Sequence, residues 1–138
     1  MENCIFCKIV SGEIPSYKIY EDDEVIAFLD VAPVNSGHVL VVPKSHYKNL
    51  LDIPQDLVCQ VIAVVKKLAP SILEGVGAKD FNLHLNNGNI AGQTVEHFHW
   101  HIIPRFPDDG KELWHGNKYK EGEAQQLMDK IKSNLNGY

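Results

Sequence analysis

Three histidines, His97, His99 and His101, occupy alternate positions in one short segment of the chain. In an extended strand alternate side chains share a face, so this spacing predicts a row of three imidazoles on one side and large apolar residues on the other. Imidazoles bury little apolar surface and need polar partners when they are desolvated. The pattern favours a functional site, although three solvated or hydrogen-bonded histidines on an outer face would have the same spacing.

The order of the three histidines suggests a division of labour. Residues two apart on a strand are about 6.6 Å apart, so the three Cα atoms span about 13 Å. One end of such a row can bind a metal ion while the other end meets a substrate. The middle residue, His99, would then act as a neutral imidazole nucleophile, and His101 could donate a proton to the leaving group.

The tripeptide Gly92-Gln93-Thr94 lies just before the histidines. It combines a glycine that permits close backbone approach, an amide donor and a hydroxyl. These groups could hold phosphoryl oxygens without a basic cluster. An ordinary polar turn between two strands is the alternative.

The pair Cys4 and Cys7 has a spacing that allows two thiolates to reach one metal ion. Three interpretations compete: a zinc site, a redox pair and two buried cysteines. Zinc would need two further ligands, for which His46 and His97 are candidates. A thioredoxin-like pair should follow a strand, which this N-terminal position does not offer. Cys59 is interpreted as a small core residue on an apolar helix.

Composition limits the possible classes of function. A chain of 138 residues with 44% hydrophobic and 22% charged residues predicts one domain, spanning 1–138. A net charge of −5 and a pI near 5.7 argue against broad nucleic-acid binding. We expect no signal peptide and no membrane span, and three cysteines favour a cytoplasmic setting over a disulfide scaffold.

Apolar periodicity predicts strands at 17–21, 25–30, 37–43 and 81–85, followed by the histidine segment. Hairpins should join the first two strands and the last two. Helices are expected at 4–10, over the apolar positions from Leu57 to Ala69, and at 121–135. Pro70 should kink or divide the long helix. Residues 107–119 have no clear period and suggest a loop that reaches a partner subunit.

Together these motifs resemble the histidine triad (HIT) family. The sequence HFHWHII at 97–103 is similar to the family signature, and GQTV at 92–95 is similar to its lead-in. The segments CIFCKI at 4–9, FLD at 28–30 and 37–46 resemble the N-terminal half of the zinc-containing branch. The resemblance covers the chain to about Arg105. It suggests a HIT-like core at about 4–106 and a C-terminal loop and helix at 107–138.

The resemblance implies an α+β fold with a five-stranded antiparallel sheet, one long helix, a C-terminal helix and a homodimer. It implies hydrolysis of the bond between the α-phosphate of a purine nucleoside monophosphate and its leaving group, through a nucleotidyl-histidine. His99 would be the nucleophile, and His101 would assist at the leaving group. The remaining implied roles are phosphate binding by Gly92, Gln93 and Thr94, support of that loop by Asn86, ribose binding by Asp30, and one structural zinc on Cys4, Cys7, His46 and His97.

Several alternatives remain open at the level of sequence. Pro104 and Arg105 resemble the branch that cleaves dinucleoside polyphosphates, whereas the cysteine pair resembles the phosphoramidate-hydrolysing branch. Two histidines of the triad could instead share one metal ion that activates water. A non-catalytic nucleotide-binding adaptor would keep the same pocket. His38 is a candidate to orient a triad histidine.

Overall fold

The computed structural model describes residues 3–135, which contain a five-stranded antiparallel sheet and three helices. The expected α+β class is confirmed. The spatial order of the strands is β1-β2-β3-β5-β4. Their bounds are Lys18–Glu21 (β1), Val25–Leu29 (β2), Val39–Pro43 (β3), Asp80–Leu85 (β4) and Trp100–Arg105 (β5), and the helices are Ile5–Val10 (α1), Gln55–Val76 (α2) and Glu123–Asn134 (α3).

Both predicted antiparallel pairs of consecutive strands are present. Strands β1 and β2 flank an acidic turn in which the Asp22 carboxylate accepts hydrogen bonds from the Glu24 and Val25 amides, each at 2.8 Å. Strands β4 and β5 pair along six positions, from Asp80 opposite Arg105 to Leu85 opposite Trp100. Their connection, residues 86–99, is much longer than a hairpin turn, and it contains His97, His99 and the predicted phosphate loop.

Helix α2 covers one face of the sheet with an apolar stripe at helical spacing. Pro70 lies inside this helix, so of the two predicted outcomes, a kink or a division of the helix, the division is wrong. Buried side chains on both sides of the proline, Ala69 and Ile72, pack toward the sheet and offset the missing backbone hydrogen bond. The prediction for Cys59 is also wrong, because this residue is on the exposed side of α2.

The sheet separates two apolar layers. Strand β3 contributes to both, because Val39 and Val41 pack on the α2 side while Leu40 and Val42 pack on the α1 side. This explains why the sequence of β3 is a continuous run of apolar residues rather than an alternation of apolar and polar residues. The α1 layer is smaller and is centred on Phe6. The candidate site lies on the α1 side of the sheet.

The predicted histidine strand is only partly correct. Strand β5 begins at Trp100, so His97 and His99 lie in the segment that leads into it. There, the Phe98 amide donates to the carbonyl of Tyr47 (2.7 Å), outside the sheet ladder. The alternation of faces nevertheless holds, since Phe98 packs in the α2 layer while both histidines contact Phe6.

The loop before β3 is held close to β5 by Gly37. This residue has φ +86°, and a Cβ at this position would lie 2.7 Å from Val76 Cγ1 and 3.2 Å from Pro104 Cγ. Only glycine satisfies both the backbone conformation and the close approach. The loop therefore brings Asp30 and His38 beside the last strand.

The C-terminal part of the described chain, 107–135, is mostly exposed, and α3 has no buried residue. Within residues 3–135, none of the helices combines the length and the apolar character needed to cross a membrane.

Candidate active site and metal centre

Four metal-binding side chains converge at one end of the site. Cys4, Cys7, His46 and His97 each offer a ligand atom, and these atoms all lie within 4.8 Å of one another. The cysteines come from the start of α1, His46 follows β3, and His97 precedes β5. Parts of the chain more than ninety residues apart therefore meet here.

Local structure sets the spacing of the two thiols. Cys4 is the N-cap residue of α1, and its Sγ accepts a hydrogen bond from the Cys7 amide (3.3 Å). Residues three apart at the start of a helix lie on the same side, so both sulfurs point toward the histidines.

The distances between donor atoms fit a tetrahedral zinc ion. Zinc–sulfur bonds of about 2.3 Å and zinc–nitrogen bonds of about 2.0–2.1 Å place sulfur and nitrogen about 3.5 Å apart and two nitrogens about 3.3 Å apart. In the protein, Sγ of Cys4 is 3.3 Å from Nδ1 of His97, and Sγ of Cys7 is 3.4 Å from Nδ1 of His46. The two Nδ1 atoms are 3.2 Å apart. The residues present therefore fit the ion. Two thiolates and two imidazoles provide the four ligands of a tetrahedral zinc ion.

A buried backbone acceptor fixes the ring of His97. Its Nε2 lies 2.8 Å from the Pro43 carbonyl oxygen, so this nitrogen carries the proton and Nδ1 presents a lone pair to the cluster. Burial lowers the pKa of His97 to about 4, which keeps the imidazole neutral. Burial, together with the neighbouring Cys4, raises the pKa of the Cys7 thiol to about 11. A cation at the cluster would reverse that last effect.

The middle histidine has one free nitrogen. Nδ1 of His99 is 2.6 Å from the carbonyl oxygen of His97, to which it donates. Nε2 of His99 is therefore the unprotonated atom. The ring is buried and packs edge-on against Phe6 at a centroid distance of 4.9 Å. Burial lowers its pKa, so the neutral form with a nucleophilic lone pair prevails near neutral pH.

The third histidine is oriented through His38. The Val34 amide donates to Nδ1 of His38 (3.0 Å), so the proton of that ring is on Nε2. That proton is directed to Nδ1 of His101 (2.9 Å), which leaves the His101 proton on its own Nε2. Burial lowers the pKa of both rings, to about 4 for His101. His101 therefore presents a neutral N–H group that can donate a hydrogen bond.

Asp30 lies beside this histidine pair. One carboxylate oxygen accepts from the Ala32 amide (2.9 Å), and the other is 3.6 Å from Nε2 of His38, too far for a hydrogen bond. Asp30 and His38 also approach His101 within 4.8 Å. The carboxylate keeps unused acceptor capacity.

Residues of the predicted phosphate loop have different environments. The Gln93 side chain is buried, and it donates to the carbonyls of Lys48 (2.6 Å) and Val95 (3.1 Å) while it accepts from the Gly88 amide (2.9 Å). Its amide donors are therefore both used within the protein, where they brace the loop, and direct contact of Gln93 with phosphate stays a prediction. Thr94 is exposed.

The rest of this loop is held from β4. Gly92 has φ +92°, and its carbonyl accepts from Nδ2 of Asn86 at 3.4 Å. The loop is thus fixed between Asn86 on one side and Gln93 on the other.

The sequence analysis did not identify three groups that position the histidines, because none of them belongs to a recognisable sequence motif. Phe6 contacts both His97 and His99, and the Pro43 carbonyl and the Val34 amide set which ring nitrogens carry protons. Two of these three are backbone groups, which every residue type has, so no side-chain pattern could reveal them.

Comparison with known proteins identifies the family. A family model described as HIT domain matches residues 11–108. A HIT-like protein of Methanocaldococcus jannaschii is 46% identical over 129 residues, which cover 94% of this chain and 98% of that protein. The chain therefore belongs to the HIT family. The matched residues include the three histidines and Asp30 but begin after the cysteine pair.

Two further relatives have named activities. One is an adenosine 5′-monophosphoramidase (HNT1) of Candida albicans, 38% identical over 143 residues, covering 96% of this chain and 91% of that protein. The other is an adenylylsulfatase (HINT3) of Arabidopsis thaliana, 38% identical over 139 residues, covering 96% of this chain and 70% of that protein.

Solved structures agree with this fold. A Streptococcus mutans protein has a TM-score of 0.92 at 38% identity, covering 98% of this chain and 87% of that one. A zinc-bound histidine triad family protein from Mycobacterium smegmatis has a TM-score of 0.76 at 34% identity, covering 96% and 98%.

The neutral state of His101 predicts a pH dependence of stability. Its pKa is about 4 in the folded protein against an ordinary value of 6.5, so between these values the unfolded chain binds the additional proton. The free energy of unfolding is therefore unaffected by protonation of His101 above pH 6.5, and it decreases as the pH falls from 6.5 toward 4. We expect His101→Asn to flatten the slope of unfolding free energy against pH in this window, by at most about 1.4 kcal/mol per pH unit. Urea unfolding of both proteins at several pH values measures the difference, and equal slopes would contradict the assignment.

Proposed function

We propose that this protein is a hydrolase that cleaves the bond between the α-phosphate of a purine nucleoside monophosphate and its leaving group, through a nucleotidyl-histidine. The observation that carries the proposal is the state of His99, a buried neutral imidazole whose Nδ1 is bound to the His97 carbonyl and whose Nε2 is free. The names of the phosphoramidase and adenylylsulfatase relatives support the same class of substrate.

The proposed reaction has two displacement steps at phosphorus. Nε2 of His99 attacks the α-phosphorus, a nitrogen–phosphorus bond forms, and the bond to the leaving group breaks. The electron pair leaves with the departing atom, which accepts a hydrogen bond from Nε2 of His101 and takes any proton it needs from solvent. Water then attacks the same phosphorus, the bond to His99 breaks, and a proton is released with the nucleoside monophosphate. His99 returns to its neutral form.

The surrounding residues would position the nucleotide. We assign the phosphate to the loop at Gly92 and Thr94, braced by Asn86 and Gln93. The unused carboxylate oxygen of Asp30 would accept hydrogen bonds from ribose hydroxyls. His38 would hold His101 in the tautomer that donates.

A cytoplasmic location stays a prediction.

We further propose that Cys4, Cys7, His46 and His97 hold one structural zinc ion. Bound there, zinc would join α1 to the segment that carries His99. Four protein ligands satisfy a tetrahedral ion, which leaves no position for a water to activate. A metal-activated water is therefore disfavoured as the nucleophile. Among the described residues, this cluster contains one of the three triad histidines, and His99 is not part of it.

We also propose that two copies associate through β4. This strand lies at one edge of the sheet, and Phe81 and Leu83 on it are 40% and 36% exposed. Together with Ile62, Pro70 and Leu73 of α2 they line an almost entirely apolar groove. A second copy would pair the edge strands and cover both grooves across a two-fold axis.

The nucleophile assignment predicts the effect of His99→Ala on turnover. We expect AMP release from adenosine 5′-phosphoramidate to fall by about a thousandfold or more, because no other group replaces the covalent intermediate. His115→Ala removes an exposed histidine and serves as the matched control. Mass spectrometry of quenched wild-type reactions should detect an adenylyl group on the protein. Equal activity of His99→Ala and wild type would exclude this role, and tight nucleotide binding without turnover by wild type would favour the adaptor.

The zinc proposal predicts about one zinc ion per chain in protein purified without chelator. Cys4→Ser should lower the zinc content and the melting temperature, whereas Cys59→Ser, which changes an exposed cysteine outside the cluster, should change neither. Elemental analysis and thermal unfolding measure these quantities. Absence of metal in wild type, with all three thiols freely titratable, would contradict the proposal.

The dimer proposal predicts that Phe81→Asp yields a monomer, because a carboxylate would be buried in the apolar contact. Light scattering after size exclusion measures the mass. Leu51→Asp changes a residue that is 90% exposed in the loop between β3 and α2, and it should leave the dimer intact. A wild-type monomer across the micromolar range would contradict this assembly.

A further inference from the structure

One carboxylate in the exposed C-terminal region is itself mostly buried. The side chain of Asp109 is 8% exposed, whereas the adjacent Asp108 lies in solvent. Its two oxygens accept from Nε (2.8 Å) and Nη2 (3.0 Å) of Arg105. They also accept from the amides of Phe106 (3.1 Å) and Lys111 (3.0 Å). A charge that is shielded from water requires such partners, and a bidentate pair with arginine fixes it in one orientation.

This ion pair connects three separate parts of the chain. Nη1 of Arg105 donates to Oδ1 of Asn82 in β4 (2.8 Å). Nδ2 of Asn35, in the loop before β3, donates to Oδ2 of Asp109 (3.0 Å) and to the Pro104 carbonyl (2.9 Å). We call these four residues, Asn35, Asn82, Arg105 and Asp109, the Asp109 hub. It joins the last two strands to the loop that carries Asp30 and His38.

The loop held by the hub determines the tautomer of His38. The carbonyl of Asn35 accepts from the His38 amide (3.2 Å), and the neighbouring Val34 amide donates to Nδ1 of His38 (3.0 Å). Displacement of residues 34 and 35 would weaken that second bond and allow the other tautomer. His38 would then accept from Nδ1 of His101, and Nε2 of His101 would become a lone pair instead of a donor.

We propose that the Asp109 hub positions the hydrogen-bond donor of the active site, because it holds the Val34–Asn35 turn against His38 and thereby keeps the proton of His101 on Nε2. None of the hub residues needs to touch the substrate, so they are positioning residues. The inference rests on the proposed function, in which Nε2 of His101 stabilises the departing atom.

The test uses leaving groups of graded basicity. Aryl esters of AMP, from nitrophenyl to methoxyphenyl, all depart as phenolates, and the more basic ones accumulate more charge that a donor can stabilise. We expect Asn35→Ala to lower kcat about 10-fold for the most basic phenolate and less than about 2-fold for the least basic one. The larger of these effects is about ten times smaller than the loss of kcat expected when a hydrogen-bond donor is removed completely. Asp109→Asn should behave similarly. Asp108→Asn removes the same charge one residue away and should match wild type.

Action through His101 predicts a second result. In a His101→Asn background, Asn35→Ala should lose its dependence on the leaving group, because the two changes remove the same donor. An equal reduction for every ester, or full additivity with His101→Asn, would overturn the proposal and indicate a general structural role.

A third measurement needs no substrate. Nitrogen chemical shifts of the labelled imidazoles should place the His101 proton on Nε2 in wild type and distribute it over both nitrogens in Asn35→Ala. An unchanged tautomer in the variant would overturn the positioning role. If wild type cleaves neither the esters nor the phosphoramidate, the proposed function fails, and the nitrogen shifts still decide whether the hub sets the tautomer.

Discussion

The buried ring of His97 joins the two halves of the site. Its Nε2 donates to the Pro43 carbonyl at the end of β3, its Nδ1 faces the thiols of α1 and the ring of His46, and its own carbonyl accepts from His99. A residue with no exposed surface cannot leave any of these groups unpaired without a large cost. The position of His99 therefore depends on a neighbour that does not react.

Backbone groups, rather than acidic side chains, determine which nitrogen of each triad imidazole carries the proton. The Pro43 and His97 carbonyls and the Val34 amide each fix one ring nitrogen, and His38 transmits that choice to His101. Because backbone groups do not titrate, the arrangement does not change with pH while the rings remain neutral. Burial favours that neutral form at each of the three histidines. In the proposed reaction, a neutral nucleophile beside a neutral donor would suit an electrophile that already carries negative charge.

Much of this molecule was predictable because its signals are local. The apolar run of β3 and the apolar stripe of α2 were both visible in the sequence, and the cysteine pair was one candidate for two of the four donor residues that converge in the fold. Errors arose where long-range packing outweighed a local rule. Pro70 stays inside α2 because the helix is held on both sides by buried residues, and β5 starts late because the Phe98 amide pairs with Tyr47 instead of a strand. The sequence also could not show that the Gln93 amide donates to the carbonyls of Lys48 and Val95, because both contacts form only in the fold.

The sequence by itself determined which chemical groups are available: three imidazoles at alternate positions, two thiols three residues apart, and the alternation with apolar residues that places the histidines on one side of their segment. Side-chain type and spacing along one element carry that information. The tertiary structure decided which nitrogen of each imidazole is free, which amide is already occupied, and how Asp109 reaches a loop seventy-four positions away. These properties depend on backbone carbonyls, amides and distances between remote segments, and such contacts exist only after the chain has folded.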